Sequence, residues 1–108
     1  MEGSTLTISR QATPGGPVIA VAGEIDVASA PALEQELYRT VATGATEVTV
    51  DLRQVGFLDS TGIGVLVGAQ QRCRQHGGKV RLVIDTDRLR RLFEITGLTG
   101  VFQIVDHL

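Results

Sequence analysis

At 108 residues the chain has the size of one ordinary domain and leaves no room for a second core. Hydrophobic residues make up 43% and charged residues 20%, values that exclude disorder and fibrous repeats. The balance of 10 Lys and Arg against 12 Asp and Glu gives a net charge of -2, without the basic field that drives binding to phosphate backbones, so no nucleic-acid partner is expected. The single cysteine, Cys73, excludes an internal disulfide and a cysteine metal cluster, which fits a reducing, cytoplasmic location. The start, MEGSTLTISR, lacks the basic and apolar regions of a secretory signal, and no apolar run approaches the ~18 residues of a membrane span. Neither export nor membrane insertion is expected.

In chain order, Leu6 to Ile8 alternates as an edge strand, Pro14-Gly15-Gly16-Pro17 forms a turn, and Val18 to Ala22 reads as a continuous buried strand ending at Gly23. Ala30, Leu33, Leu37 and Val41 recur at helical spacing behind Ser29, an expected N-cap, with Pro31 tolerated in the first turn; this helix closes near Gly44. Val48, Val50 and Leu52 alternate with Thr49, Asp51 and Arg53 in a third strand that runs into Val55 to Leu58. Asp59 or Ser60 then caps a second helix, with Ile63, Leu66, Val67, Gln70 and Cys73 on one face and Gly77-Gly78 as its stop. Lys79 to Ile84 is a fourth strand, and Asp87 is expected to cap a third helix bearing Leu89, Leu92, Phe93 and Ile95 until Gly97. Phe102 to Val105 is a last short strand. The order β-β-α-β-α-β-α-β predicts an α/β fold: a mostly parallel or mixed sheet of four to five strands with three to four helices packed on it, as one domain over residues 1–108.

The stretch Val55-Gly56-Phe57-Leu58-Asp59-Ser60-Thr61-Gly62-Ile63-Gly64-Val65-Leu66 carries the chemistry. An apolar strand stops at an acid, two hydroxyls follow, and a helix opens with Gly62, Gly64 and Gly68, each weakening it by ~1 kcal/mol relative to Ala. A helix that keeps such residues points to close approach, by the sheet or by another molecule. A phosphate on Ser60 would meet the positive dipole end and unpaired N–H groups of a helix N-terminus. Read from spacing alone, the simpler reading is that Asp59 and Ser60 are caps and the glycines packing residues, since caps are commonplace, and spacing does not establish a switch.

Asp59 to Leu66, placed behind the Val48 to Leu52 strand and preceded by Gly23-Glu24-Ile25-Asp26, resembles the STAS domain of bacterial anti-sigma factor antagonists. The resemblance spans nearly the whole chain in element order. It implies that Ser60 is a phosphoacceptor and that the unphosphorylated form binds an anti-sigma factor that is also a serine kinase, releasing a sigma factor. Phosphorylation then ends that binding and a serine phosphatase restores it. Asp59 would shape the acceptor loop, Thr61 and Gly62 would let the kinase approach the backbone, and helix two beyond Gly64 would present Gln71 and Arg72. At the junction of strand two and helix one, Glu24, Asp26 and Ser29 either extend the docking surface or cap the helix. The partner-binding set is thus Asp26, Asp59, Ser60, Thr61, Gly62 and Gly64, with no catalytic residue, metal or cofactor, and a monomer is the simplest state.

Three rival readings stand beside this one. Asp26, Asp51, Asp59 and Asp85 lie in or just after strands, where paired acids can hold Mg²⁺ for phosphotransfer, although Asp51 alternates inside its strand and Lys79 is badly placed to assist. Hydrolysis lacks a nucleophile elbow, with His76 read as a charge partner at a helix end, His107 as a tail residue, and Cys73 as a buried thiol. Related domains also serve as unphosphorylated adaptors in lipid-transport or stressosome complexes, or as tails of anion transporters. Arg88, Arg90 and Arg91 read as a solvated helix face.

Overall fold

The computed structural model describes residues 6–108, so the reading of Met1–Thr5 as signal-free lies outside it. The elements follow the expected order: β1 (Thr7–Gln11), β2 (Val18–Ile25), α1 (Ala30–Ala42), β3 (Glu47–Leu58), α2 (Ser60–Arg74), β4 (Lys79–Val83), α3 (Asp87–Ile95) and β5 (Gln103–Val105). The strands lie side by side in sequence order, with β1 antiparallel to β2 and the remaining neighbours parallel. Each parallel pair is joined by a helix, and right-handed crossovers stepping always in one direction place α1, α2 and α3 on one face. The core agrees: Ile19, Val21, Val48, Val50, Val80 and Leu82 pack with Leu33 and Leu37 of α1, Leu66 of α2 and Phe93 of α3. No helix among the described residues is long and apolar enough to cross a membrane.

Two features of the strands differ from expectation. Instead of being buried throughout, β2 alternates: Ile19 and Val21 point into the core, whereas Val18, Ala20 and Ala22 are half-buried on the helix-free face. A small alanine on the open face looks the same in sequence as one in the core. In β3 the inward residues Val50, Leu52, Val55 and Leu58 are spaced two, three and three apart. The ladder with β2 accounts for this: Ala20 to Ala22 spans Asp51 to Gln54, and Gly23 to Glu24 spans Val55 to Phe57. Each irregularity places one extra residue on β3 and returns the next apolar side chain to the core.

Gln70 sits on the apolar face of α2 as predicted, but as a polar clamp. Its Nε2 donates to the Val101 carbonyl at 2.7 Å and its Oε1 accepts the Val80 N–H at 2.6 Å, so the buried amide ties α2 to both β4 and the connection before β5. Cys73 is buried beside it, and burial pushes its thiol pKa up, the neutral form expected of an inert core cysteine. The α3 cap is Thr86, whose hydroxyl accepts the Leu89 N–H, and Asp87 is the first helical residue. Ile95, assigned to the apolar stripe, is 75% exposed, because α3 ends there and turns away through Gly97 at φ +74°.

Candidate functional site

At the carboxyl end of the sheet β2 and β3 leave together. Ile25 pairs with Leu58, and the Asp59 N–H donates to the Ile25 carbonyl at 3.2 Å, which fixes the two strand-to-helix turns against each other. Asp59 is the N-cap of α2: its Oδ1 accepts the N–H groups of Thr61 at 3.0 Å and Gly62 at 3.1 Å. Asp26 repeats this geometry at the start of α1, its Oδ1 accepting the N–H groups of Ala28 and Ser29 at 3.0 Å each. Ser29 holds the cap position without capping. Its buried hydroxyl accepts the Asp26 N–H at 2.9 Å and donates to the Glu24 carbonyl at 2.8 Å, closing the turn from within. Ser29 therefore belongs to the scaffold, while Glu24 is exposed and Asp26 is half-exposed.

Ser60 is the first residue of α2 and is exposed, and its hydroxyl makes no hydrogen bond among the described residues. Thr61 beside it is exposed as well. The N–H groups expected to greet a phosphate are already committed: those of Thr61 and Gly62 to Asp59 Oδ1, and that of Ile63 to the Asp59 carbonyl. A phosphate on Ser60 would gain the helix dipole but would add its charge next to a carboxylate.

The glycines of α2 divide by role. A Cβ on Gly62 would lie 2.5 Å from side-chain atoms of both Ile25 and Leu58, so this residue is a buried contact between helix and sheet and not an open approach for a kinase. Gly64 is exposed, with nothing within 4 Å of a Cβ built there. Gly68 lies under the Tyr38 hydroxyl, and Arg72 stacks over the Tyr38 ring at 4.1 Å, so Arg72 is tied to α1 while Gln71 stays exposed.

The acids do not converge. Among the described residues no group of three or more His, Cys, Asp or Glu side chains is placed to hold a metal ion. Asp51 is instead bound to Arg53 of the same strand by two hydrogen bonds, at 3.0 and 2.8 Å, and that guanidinium holds its carboxyl below the usual carboxylate range. His76 Nε2 lies 3.2 Å from the Ala45 carbonyl past the end of α2, and His107 pairs with Asp106. In the basic cluster, Arg88 donates to the Gly56 carbonyl, and Arg90 bonds Asp87 and the Ile84 carbonyl. That leaves Arg91 as its solvated member. Sequence reasoning passed over Val27 and Phe57, two large apolar residues exposed at this same end of the sheet. An apolar residue in a turn or strand reads as core, and only the parity shifts of β3 reveal that Phe57 points away from it.

The STAS domain family matches residues 7–108. The anti-sigma-B factor antagonist of Bacillus subtilis (strain 168) is 43% identical over 84 residues, which cover 78% of this chain and 76% of that protein. The anti-sigma-B factor antagonist of Listeria monocytogenes is 43% identical over 86 residues, covering 80% and 75%. The crystal structure of an anti-sigma factor antagonist from Mycobacterium paratuberculosis superimposes with a TM-score of 0.89 at 32% identity, covering 96% of this chain and 88% of that one.

Proposed function

The chain belongs to the STAS domain family, and from that membership we propose that it is an anti-sigma factor antagonist regulated through Ser60. Unphosphorylated, it binds an anti-sigma factor that is also a serine kinase, and a sigma factor is released. The kinase phosphorylates Ser60, binding is lost, and a serine phosphatase resets the cycle. The protein acts by binding, as a cytoplasmic monomer without catalytic residues, metal or cofactor.

The observation that carries this reading is the state of Ser60. Its hydroxyl is exposed and free of hydrogen bonds among the described residues, because Asp59 performs the capping that a serine at a helix start commonly performs. A kinase can reach the oxygen without dismantling the helix. The product carries a charge of about -1.5 to -2 next to the Asp59 carboxylate, and an interface must then desolvate that charge. A loss of only about 1.4 kcal/mol weakens a partner tenfold. Asp26, Asp59, Thr61 and Gly64 frame the acceptor as contact residues, and Gly62 serves them from below by seating α2 on the sheet. Intact mass after incubation with ATP and the serine kinases of a host lysate, followed by peptide mapping, tests the assignment. One phosphate on Ser60 is expected, and its absence under every condition would favour the unphosphorylated adaptor.

A further inference from the structure

We propose that Val27 and Phe57 are the apolar anchors by which the unphosphorylated chain holds its partner, and that the partner presents an apolar recess flanked by cationic side chains. The proposal rests on the switch reading above and adds the chemistry of the docked surface. Val27 is 72% and Phe57 48% exposed, although large apolar side chains ordinarily leave water. Isolated exposed apolar residues need no explanation, but these two lie on the adjacent strand exits that carry the acceptor. Phe57 pairs with Glu24 and Leu58 with Ile25; Val27 stands two residues beyond Ile25, and Ser60 two beyond Leu58. A Cβ added at Gly56 or at Gly64 would meet nothing within 4 Å, and the Gly56 carbonyl beside Phe57 is held by the Arg88 guanidinium.

Charge decides which occupant fits. Asp26 and Asp59 each spend only Oδ1 on backbone N–H groups, so among the described residues both Oδ2 atoms are uncommitted, and the exposed Glu24 adds a third carboxylate. The nearby guanidinium of Arg88 is spent on the Gly56 carbonyl, which leaves three carboxylates against one cation. An apolar pair in such a surround matches the anatomy of a binding hot spot: desolvated anchors inside a polar rim. The complementary face is apolar and basic. A second copy of this chain would instead bring acids against acids.

The test is calorimetric titration of the full chain, without ATP, into the purified anti-sigma-B factor of Bacillus subtilis, the target named by the 43%-identical relative. Val27→Ser and Phe57→Ser should each weaken binding tenfold or more, Ile95→Ser should leave it unchanged, and added salt should weaken the wild type. Circular dichroism spectra matching the wild type establish that the exposed substitutions leave the fold intact. Wild-type affinity in both anchor variants overturns the proposal and leaves the switch standing. A wild type that neither binds nor accepts phosphate overturns the switch, and the anchors fall with it. A concentration-dependent dimer dissolved by Phe57→Ser would make a second copy the occupant and also overturn it.

Discussion

Asp26 and Asp59 make the same pair of hydrogen bonds, each carboxylate taking through Oδ1 the N–H groups of the second and third residues ahead of it. The two turns are joined by the Asp59 N–H to the Ile25 carbonyl, so a displacement of one helix start is felt by the other. Ser60 sits on this paired foundation without being part of it.

Replacing Asp59 with Ala should therefore cost about 1 kcal/mol of stability, the ordinary worth of an N-cap, while Asp59→Asn should retain most of it. Urea denaturation of both variants measures this. An Ala variant as stable as the wild type would remove Asp59 from the scaffold.

Ser60→Ala should unfold within a few tenths of a kcal/mol of the wild type, because no hydrogen bond of the hydroxyl is lost. It should accept no phosphate and bind the partner constitutively, whereas Ser60→Asp should bind at least tenfold more weakly. Full phosphorylation of the Ala variant would move the acceptor elsewhere, Thr61 being the nearest hydroxyl.

Two glycines two residues apart should respond in opposite directions. Gly62→Ala forces a methyl against Ile25 and Leu58 and should destabilise the domain by roughly 1–3 kcal/mol. Gly64→Ala meets open space and should stabilise α2 by up to about 1 kcal/mol, yet weaken partner binding. Thermal melts paired with titrations separate the two effects.

Gln70→Leu should be among the more damaging substitutions. It keeps the volume but strands the Val80 N–H and the Val101 carbonyl, at a cost of about 2 kcal/mol or more. The chemical-denaturation midpoint should fall without a change in slope.

The Asp51–Arg53 pair predicts a pH dependence with a definite sign. The folded-state pKa of Asp51 is lowered, first by the Arg53 hydrogen bonds, so the unfolded chain takes up the proton at higher pH than the folded one. Its contribution is complete above the ordinary carboxylate range, about pH 4, and disappears as pH falls through the folded value. Asp51→Asn should be less stable than the wild type at neutral pH, and the gap should close on acidification. A gap that persists at low pH would assign the loss to packing.

The order of elements was legible because each helix shows a 3.6-residue stripe and is followed within three residues by a glycine of positive φ, Gly44, Gly77 or Gly97. The position of Ser60 at a helix start was legible too, since an acid, two hydroxyls and a glycine follow an apolar strand. What stayed hidden depends on hydrogen bonds that composition leaves undecided. Ser29 and Asp26 are both capable caps, and only the fold decides that the aspartate takes the N–H groups while the serine closes the turn. Thr86 and Asp87 posed the same choice at α3. Gln70 reads as a lapse in an apolar stripe until Val80 and Val101 arrive from distant parts of the chain. Phe57 reads as core until β3 takes in its two extra residues.

The separation of Asp59 from Ser60 also bears on how such a domain can change over generations. Since the cap lies one residue before Ser60, a change at position 60 removes no hydrogen bond among the described residues, and the helix start does not call for a serine there. On the proposed reading, a duplicated copy that lost the hydroxyl would lose its switch in one step and survive as a permanently engaged binder. Position 59 has less freedom, because only another capping side chain there keeps intact the helix that presents the surface.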